Sequence, residues 1–336
     1  MRFGPVPVDQ AAGAVLAHAL TAGGRRLRKG MVLGPEDVHA LLDAGFAEVT
    51  VARLDPGDVA ENLAATRLAR ALSADPAAGL IPSSAFTGRV NLNAAGVGVV
   101  RVDAGRVRAL NLLDAGITLS TVAPFARVAA GALIATVKII PYAVPDAALT
   151  RAGTLAPGAL SLCPVRMRTA GLILTEVPGQ GEKLAHKGQR ATEARLRRLG
   201  MSLAGVERVP HEVGAIAAAL ARMPGDIVLI LAGSATSDIR DAAPMALVRA
   251  GGRVERFGLP VDPGNLLFWG WQGGATAARP VMGLPGSARS MVASGVDIVL
   301  DRLVCGVAIA PEDIAAMGVG GLGRESPTRG HPREPD

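Results

Sequence analysis

Ile227-Val228-Leu229-Ile230-Leu231-Ala232-Gly233-Ser234-Ala235-Thr236-Ser237-Asp238 is the stretch whose reading decides the fold. Five aliphatic residues in a row leave no polar face, as in a strand covered on both sides. Small and hydroxyl-bearing residues follow at once, the composition of a turn that lets backbone come close to something else. Working outward from it, the same alternation starts at about residue 165. Residues 171–174 predict a strand and 189–199 a helix stopped by Gly200. Residues 206–209 predict the next strand and 211–223 its helix. Beyond the central strand, a helix over 242–250 ends at Gly251-Gly252, and strands follow at Arg253–Phe257, 266–271 and 280–284. A last helix is expected over about 288–304. Strands alternating with helices predict an α/β domain over 165–308, a mostly parallel sheet with helices on both faces.

The chain before it reads differently. Residues 1–80 form a mixed α/β region. Gly34-Pro35-Glu36-Asp37 has the form of a helix start, because proline fits the first turn. Val38, Leu41 and Leu42 then carry the helix to a stop at Gly45. Residues 48–51 read as a strand, and Val59, Leu63, Leu68 and Leu72 have the spacing of an amphipathic helix over 58–72. A Pro/Gly/Ser-rich break at 75–84 introduces a β-rich region, 81–150, with a buried strand at 133–140. Thr87-Gly88-Arg89 fits a glycine turn, with an anion contact as the alternative. The Pro-marked stretch 145–157 is the expected linker. Residues 320–336 carry Gly, Pro and charge with nothing to bury, so disorder is expected there.

Composition narrows the function classes. The 336 residues allow two or three domains, and the 49% hydrophobic content places them among globular chains. Aromatics make up only 3%, which argues against nucleic acid, whose single strands are held by stacking. The net charge of +6 fits solvated faces or a field that attracts a small polyanion. Two distant cysteines, Cys163 and Cys305, give no disulfide framework or zinc spacing. No run of about 20 apolar residues spans a membrane, and the N-terminus lacks a signal peptide's pattern. A soluble, cytoplasmic protein without a membrane partner is expected.

Three loops of the last domain carry the chemistry. In an open α/β sheet, ligands sit beyond the carboxyl ends of the parallel strands. The first loop is Gly233-Ser234-Ala235-Thr236-Ser237-Asp238. Its small residues and the helix behind it suit an anion, and Asp238 with Asp241 could bind Mg²⁺ or simply cap that helix. The second is Pro285-Gly286-Ser287-Ala288-Arg289-Ser290. A guanidinium in a first helical turn opposes the helix dipole unless an anion lies between them. The third, Asp262-Pro263-Gly264-Asn265, is by itself a turn signal. His211, after Pro210, reads as a surface or capping residue. No Ser-His-Asp or Cys-His arrangement, Walker A sequence or GxGxxG is legible.

The ordered trio Ala-Gly-Ser-Ala-Thr-Ser-Asp-Ile-Arg-Asp, Leu-Pro-Val-Asp-Pro-Gly-Asn-Leu-Leu and Gly-Leu-Pro-Gly-Ser-Ala-Arg-Ser resembles the molybdopterin-binding domain of the molybdopterin molybdotransferase family. It is closest to a branch often fused to a molybdenum-cofactor nucleotidyltransferase. Val137-Lys138-Ile139-Ile140-Pro141 and Met317-Gly318-Val319-Gly320-Gly321-Leu322 also resemble that branch. The resemblance implies a three-layer domain that binds molybdopterin or adenylyl-molybdopterin, with molybdate displacing AMP with Mg²⁺ assistance. Carried over, Ser234, Thr236 and Asp238 line the phosphate end, Gly233, Ala235, Ser237 and Thr175 also bind substrate, and Asp238 and Asp241 are the candidate catalytic and metal residues. Pro263, Gly264 and Asn265 form a wall. Pro285, Gly286, Ser287, Arg289 and Ser290 hold a second anionic group.

The sequence departs from the family where carboxylates are expected. Thr175-Glu176-Val177-Pro178 stands for Thr-Gly-Asp-Glu, and Leu-Pro-Gly-Ser-Ala for Leu-Pro-Gly-Asn-Pro. A non-catalytic module serving a separate nucleotidyltransferase or a molybdoenzyme is therefore the alternative, and hydrolysis of a nucleotide such as ADP-ribose ranks third. Related domains assemble in different ways, so a homo-oligomer stays open.

Overall fold

The computed structural model describes residues 1–179, 182–274 and 278–322. Contacts divide the chain into two units, Met1–Gly96 with Val100–Leu162, and Val97–Val99 with the residues from Cys163 onward.

The first unit holds two apolar cores. In one, Arg2–Pro7 and Val15–Leu16 flank Glu48–Arg53 in an antiparallel sheet. Pro35–Asp43 packs there through Val38 and Leu41. The expected start at Gly34 is present, with the Gly34 N–H donating to Asp37 Oδ2 at 2.8 Å. The second core lies between the antiparallel strands Ile117–Thr121, Leu133–Ile139, Arg89–Ala94 and Leu80–Pro82 and the helix Glu61–Leu72. Alanines at 64, 65 and 69 carry that helix's buried face with Leu68 and Leu72. Leu63, expected inside, is 58% exposed.

Two expectations are corrected in this unit. The basic run over 25–29 is expected as a turn, but Arg25–Leu27 pairs with Leu20–Ala22 as a hairpin. Residues 145–157 are not a linker, because Asp146–Leu155 is a helix that buries Leu149 and Ala152. Residues 81–150 also contain the helix Ala104–Asn111, capped by Asp103. Thr87 and Gly88 both have positive φ, at 46° and 70°, the backbone of a tight turn.

In the second unit, β1 (Thr169–Glu176) leads through α1 (Glu182–Arg198) to β2 (Ser202–Pro210), and α2 (Val213–Arg222) leads to β3 (Ile227–Leu231). Next come α3 (Ala242–Arg249), β4 (Arg253–Phe257), β5 (Phe268–Gln272), β6 (Arg279–Leu284), α4 (Gly295–Val304) and α5 (Pro311–Ala316). They build one six-stranded sheet in the order β2-β1-β3-β6-β5-β4. The four strands β2, β1, β3 and β6 are parallel, while β5 pairs antiparallel with both β6 and β4, so that β4, β5 and β6 form a meander. The sheet is thus mixed, and the loops after its parallel strands β3 and β6 are two of the three candidate loops. Alternation puts Val228 and Ile230 into a core with α2 and α3. Leu231, of opposite parity, meets α1 at Gly188, where a Cβ would lie 2.3 Å from Leu231 Cδ2.

Two further boundaries move. The helix expected over 288–304 is broken into a 3₁₀ turn, Gly286–Arg289, and α4, whose start is a capping box from Ser294 to Asp297. Residues 320–322 are part of the fold, with Asp262 N–H donating to Gly321 O at 2.8 Å and Asp262 bridging Leu322. The expectation for 323–336 lies outside the described residues. Among the described residues, no helix is long and apolar enough to cross a membrane.

Both cysteines are free thiols. Cys305, 1% exposed at the end of α4, has its thiol pushed up to about 12, chiefly by burial. The thiolate is the reactive form, so iodoacetamide at pH 8 should label Cys163 alone in the folded protein and both after unfolding. Native labelling of Cys305, read by peptide mass spectrometry, would contradict this.

Candidate functional site at the switch point of the parallel sheet

Parallel register sets the site. Leu174 of β1 lies beside Leu231 of β3, and Leu231 lies beside Leu284 of β6. The chain therefore leaves the sheet after Glu176, Leu231 and Leu284 on one edge. From β1 it passes to α1, which packs on one face, and from β3 to α3, which packs on the other. Strand order reverses between β1 and β3, so the crevice between these two strand ends is the topological switch point where ligands of such sheets bind.

Thr175, 3% exposed, spans that crevice. Its Oγ1 accepts the Gly233 N–H at 2.7 Å and lies 2.7 Å from His211 Nδ1. His211 in turn places Nε2 3.5 Å from Asp241 Oδ1. This histidine is a buried part of the crevice and not the surface or capping residue expected. Its partners are distant in sequence, so no local pattern could reveal it.

Arg289 stands on the other side of the β3 loop. Its Nη2 donates to Ala232 O at 2.8 Å, tying the Pro285–Ser290 segment to the Ala232–Asp238 loop. The guanidinium is half-buried, and burial pulls its pKa below the ordinary arginine value. Its Nε is buried without a hydrogen-bond partner. Arg195 of α1 holds this segment from below, donating to Ala288 O and Ser290 O, both at 2.5 Å, and pairing with Asp297 at 3.3 Å.

The remaining expected residues fall as follows. Ser234, Ala235, Ser237, Gly286, Ser287 and Ser290 are exposed on the two loops, whereas Thr236 and Pro285 are buried. Gly264 and Pro263 lie on the same sheet edge but against the start of α4, with Pro263 O accepting the Gly295 N–H at 2.9 Å. Asn265 is exposed beside them. Asp238 turns onto Arg240, whose backbone and side chain both donate to it and hold its carboxyl down to about 2. Asp241 caps α3 through the Ala242 N–H at 2.6 Å. Among the described residues, no group of three His, Cys, Asp or Glu could hold a metal ion.

Two hollows adjoin the crevice. One, of only about 10 Å³, is lined by Thr175, Glu176, Leu184 and Arg289. The other, about 410 Å³, is large enough for a small organic ligand and lies at the ends of β1 and β2, between Glu176, Pro178, Arg208, His211 and Glu212.

Comparison with known proteins adds little at this site. A family described as a domain of unknown function (DUF8806) matches residues 5–53, which hold the first small sheet and the helix Pro35–Asp43. No curated protein matches the chain.

Proposed function

We propose that the second unit holds a phosphorylated pterin, molybdopterin or its adenylated form, across the switch-point crevice, and acts in molybdenum-cofactor biosynthesis. The observation that carries the reading is Arg289. A half-buried guanidinium with an unpartnered Nε sits where two strand-end loops meet. A buried donor without a partner costs about 1–3 kcal/mol or more when charged, and an arriving anion removes that cost. The loop with Ser234 and Ser237, leading to the start of α3, supplies further donors beside it. The ordered motifs that resemble the molybdotransferase family name the pterin.

In the fuller form of this reading, the unit also promotes molybdate insertion with AMP release. Arg289 would then offset negative charge building on the phosphate in a site partly shielded from water. The Mg²⁺ that the family implies finds no ready cage, since Asp238 is engaged by Arg240 and Asp241 by the α3 cap. A carboxyl held at about 2 is also a weak general base at neutral pH. That observation favours the second reading, a carrier that hands the cofactor to a nucleotidyltransferase or a molybdoenzyme.

The test is to incubate the full chain with adenylated molybdopterin, Mg²⁺ and molybdate, reading bound pterin fluorescence and released AMP. Molybdate-dependent AMP release supports insertion, and release that survives EDTA removes Mg²⁺ from the reading. Tight binding without release makes the protein a carrier. Absence of both signals overturns the assignment. Arg289→Met should weaken pterin binding by about tenfold or more, the worth of one charge-assisted hydrogen bond. Unchanged affinity would remove Arg289 from the site.

A further inference from the structure

His211 is the polar side chain that the ligand reading leaves unused. It is 10% exposed, at the end of β2, and its Nε2 is buried without a hydrogen-bond partner. It faces Thr175 on β1 and Asp241 at the start of α3. Through Thr175 it also reaches Gly233 on the β3 loop. One imidazole therefore links the ends of three parallel strands and the first turn of the helix behind the anion loop.

The hydrogens along this chain can be counted. Thr175 Oγ1 has one hydrogen and two lone pairs. The Gly233 N–H, at 2.7 Å, fills one lone pair. If His211 Nδ1 also donated, the threonine hydrogen would be left in buried space with no acceptor among the contacts seen. If Nδ1 accepts, both the hydrogen and the lone pair of the Thr175 hydroxyl are used: the hydroxyl donates to Nδ1 at 2.7 Å, and Nε2 carries the ring hydrogen. That Nε2–H then points towards the Asp241 carboxylate, 3.5 Å away, too long for a good hydrogen bond but within reach of its charge.

We infer that His211 is a positioning residue of the crevice: as the neutral Nε2–H tautomer it accepts from Thr175, and through that hydroxyl it fixes the direction of the Gly233 N–H. Removing the acceptor frees the hydroxyl to rotate and loosens the oxygen that accepts the Gly233 N–H. The inference rests on the proposed function only for what the crevice binds. The hydrogen-bond order concerns the chain's own residues.

The experiment uses the full chain with ¹⁵N-labelled histidine. Ring nitrogen shifts of His211, assigned with His211→Asn, should show an unprotonated Nδ1 and a protonated Nε2. A protonated Nδ1 or a tautomer average would overturn the assignment. Amide exchange at Gly233 supplies the second readout. Asparagine can offer its side-chain oxygen near the place of Nδ1, whereas phenylalanine fills the volume and accepts nothing. Gly233 exchange should be about tenfold faster in His211→Phe, the loss of roughly one hydrogen bond, and close to wild type in His211→Asn. Equal protection in both variants would reduce His211 to a packing residue. Should His211→Phe fail to fold, the tautomer in the wild-type chain decides alone. Adenylated molybdopterin added to the wild-type chain separates the two ideas, because failure to bind it sinks the pterin reading and leaves the tautomer and exchange results standing.

Discussion

Arg195→Ala should destabilise the second unit by about 3–5 kcal/mol, the usual cost of removing one partner from a buried ion pair. Arg195 is 2% exposed, and its guanidinium is shared among Asp297, Ala288 O and Ser290 O. Alanine strips Asp297 of that charge and leaves two carbonyls without their donor, that of the buried Ala288 among them. Both tryptophans of the chain, Trp269 and Trp271, belong to β5, so tryptophan fluorescence reports this unit selectively. The thermal transition should fall by roughly 10 °C, given ~2–4 °C per kcal/mol for a domain of this size. Arg195→Met combined with Asp297→Leu should recover much of the loss, since an apolar pair of similar volume replaces a buried ion pair at little cost. A shift near zero in Arg195→Ala would mean that α1 is held to residues 288–292 by packing alone.

Gly283→Val should be comparably severe. Gly283 of β6 lies directly across from Phe268 of β5, and the ring lies over it. A Cβ on residue 283 would stand 1.9 Å from Phe268 Cε1. Phe268 is fully buried and cannot swing into solvent. Overpacking in a closed core costs about 1–3 kcal/mol and more where nothing can yield, so a loss at or above the top of that range is expected in urea unfolding. Phe268→Leu in the same chain should restore part of it by vacating the ring's volume. A Gly283→Val protein as stable as wild type would refute the close approach.

These two sites show what the sequence reveals and what it hides. Ile227–Leu231 and Arg253–Phe257 are legible to the residue. The first is an unbroken aliphatic run, and the second is bounded by Gly251-Gly252 and Gly258. The helix α1 is expected only from 189, yet it begins at Glu182. Its inward face is Gly188, Ala191, Thr192, Arg195 and Leu196, so hydrophobic periodicity sees little of it. The break at residues 290–294 is missed because Ser294-Gly295-Val296-Asp297, a capping signal, sits inside an apolar run that reads as continuous. The antiparallel meander is missed for a different reason. Strand direction depends on where the connection between β5 and β6 passes, and composition does not encode that.

The candidate site divides in the same way. Loops after strands are a local pattern, and the convergence of residues 232–238 with 285–290 follows from parallel register. The environment of a side chain is not local. Asp238, whose type suggests a metal or catalysis, is turned onto Arg240 two residues away. His211, whose type beside a proline suggests a surface position, is buried among groups from β1 and α3. In both cases the residue type was legible and its partners were not.

The bond from Gly233 to the Thr175 hydroxyl bears on the thermodynamics of whatever occupies the crevice. A glycine-containing loop has much freedom to lose, and loops that order on binding spend part of the contact energy on that loss. Here one end of the loop is already fixed when the chain folds. Association should therefore carry a smaller entropic penalty than a mobile loop would impose. The crevice then selects for a rigid anion of matching shape, because it has little freedom to adapt to any other.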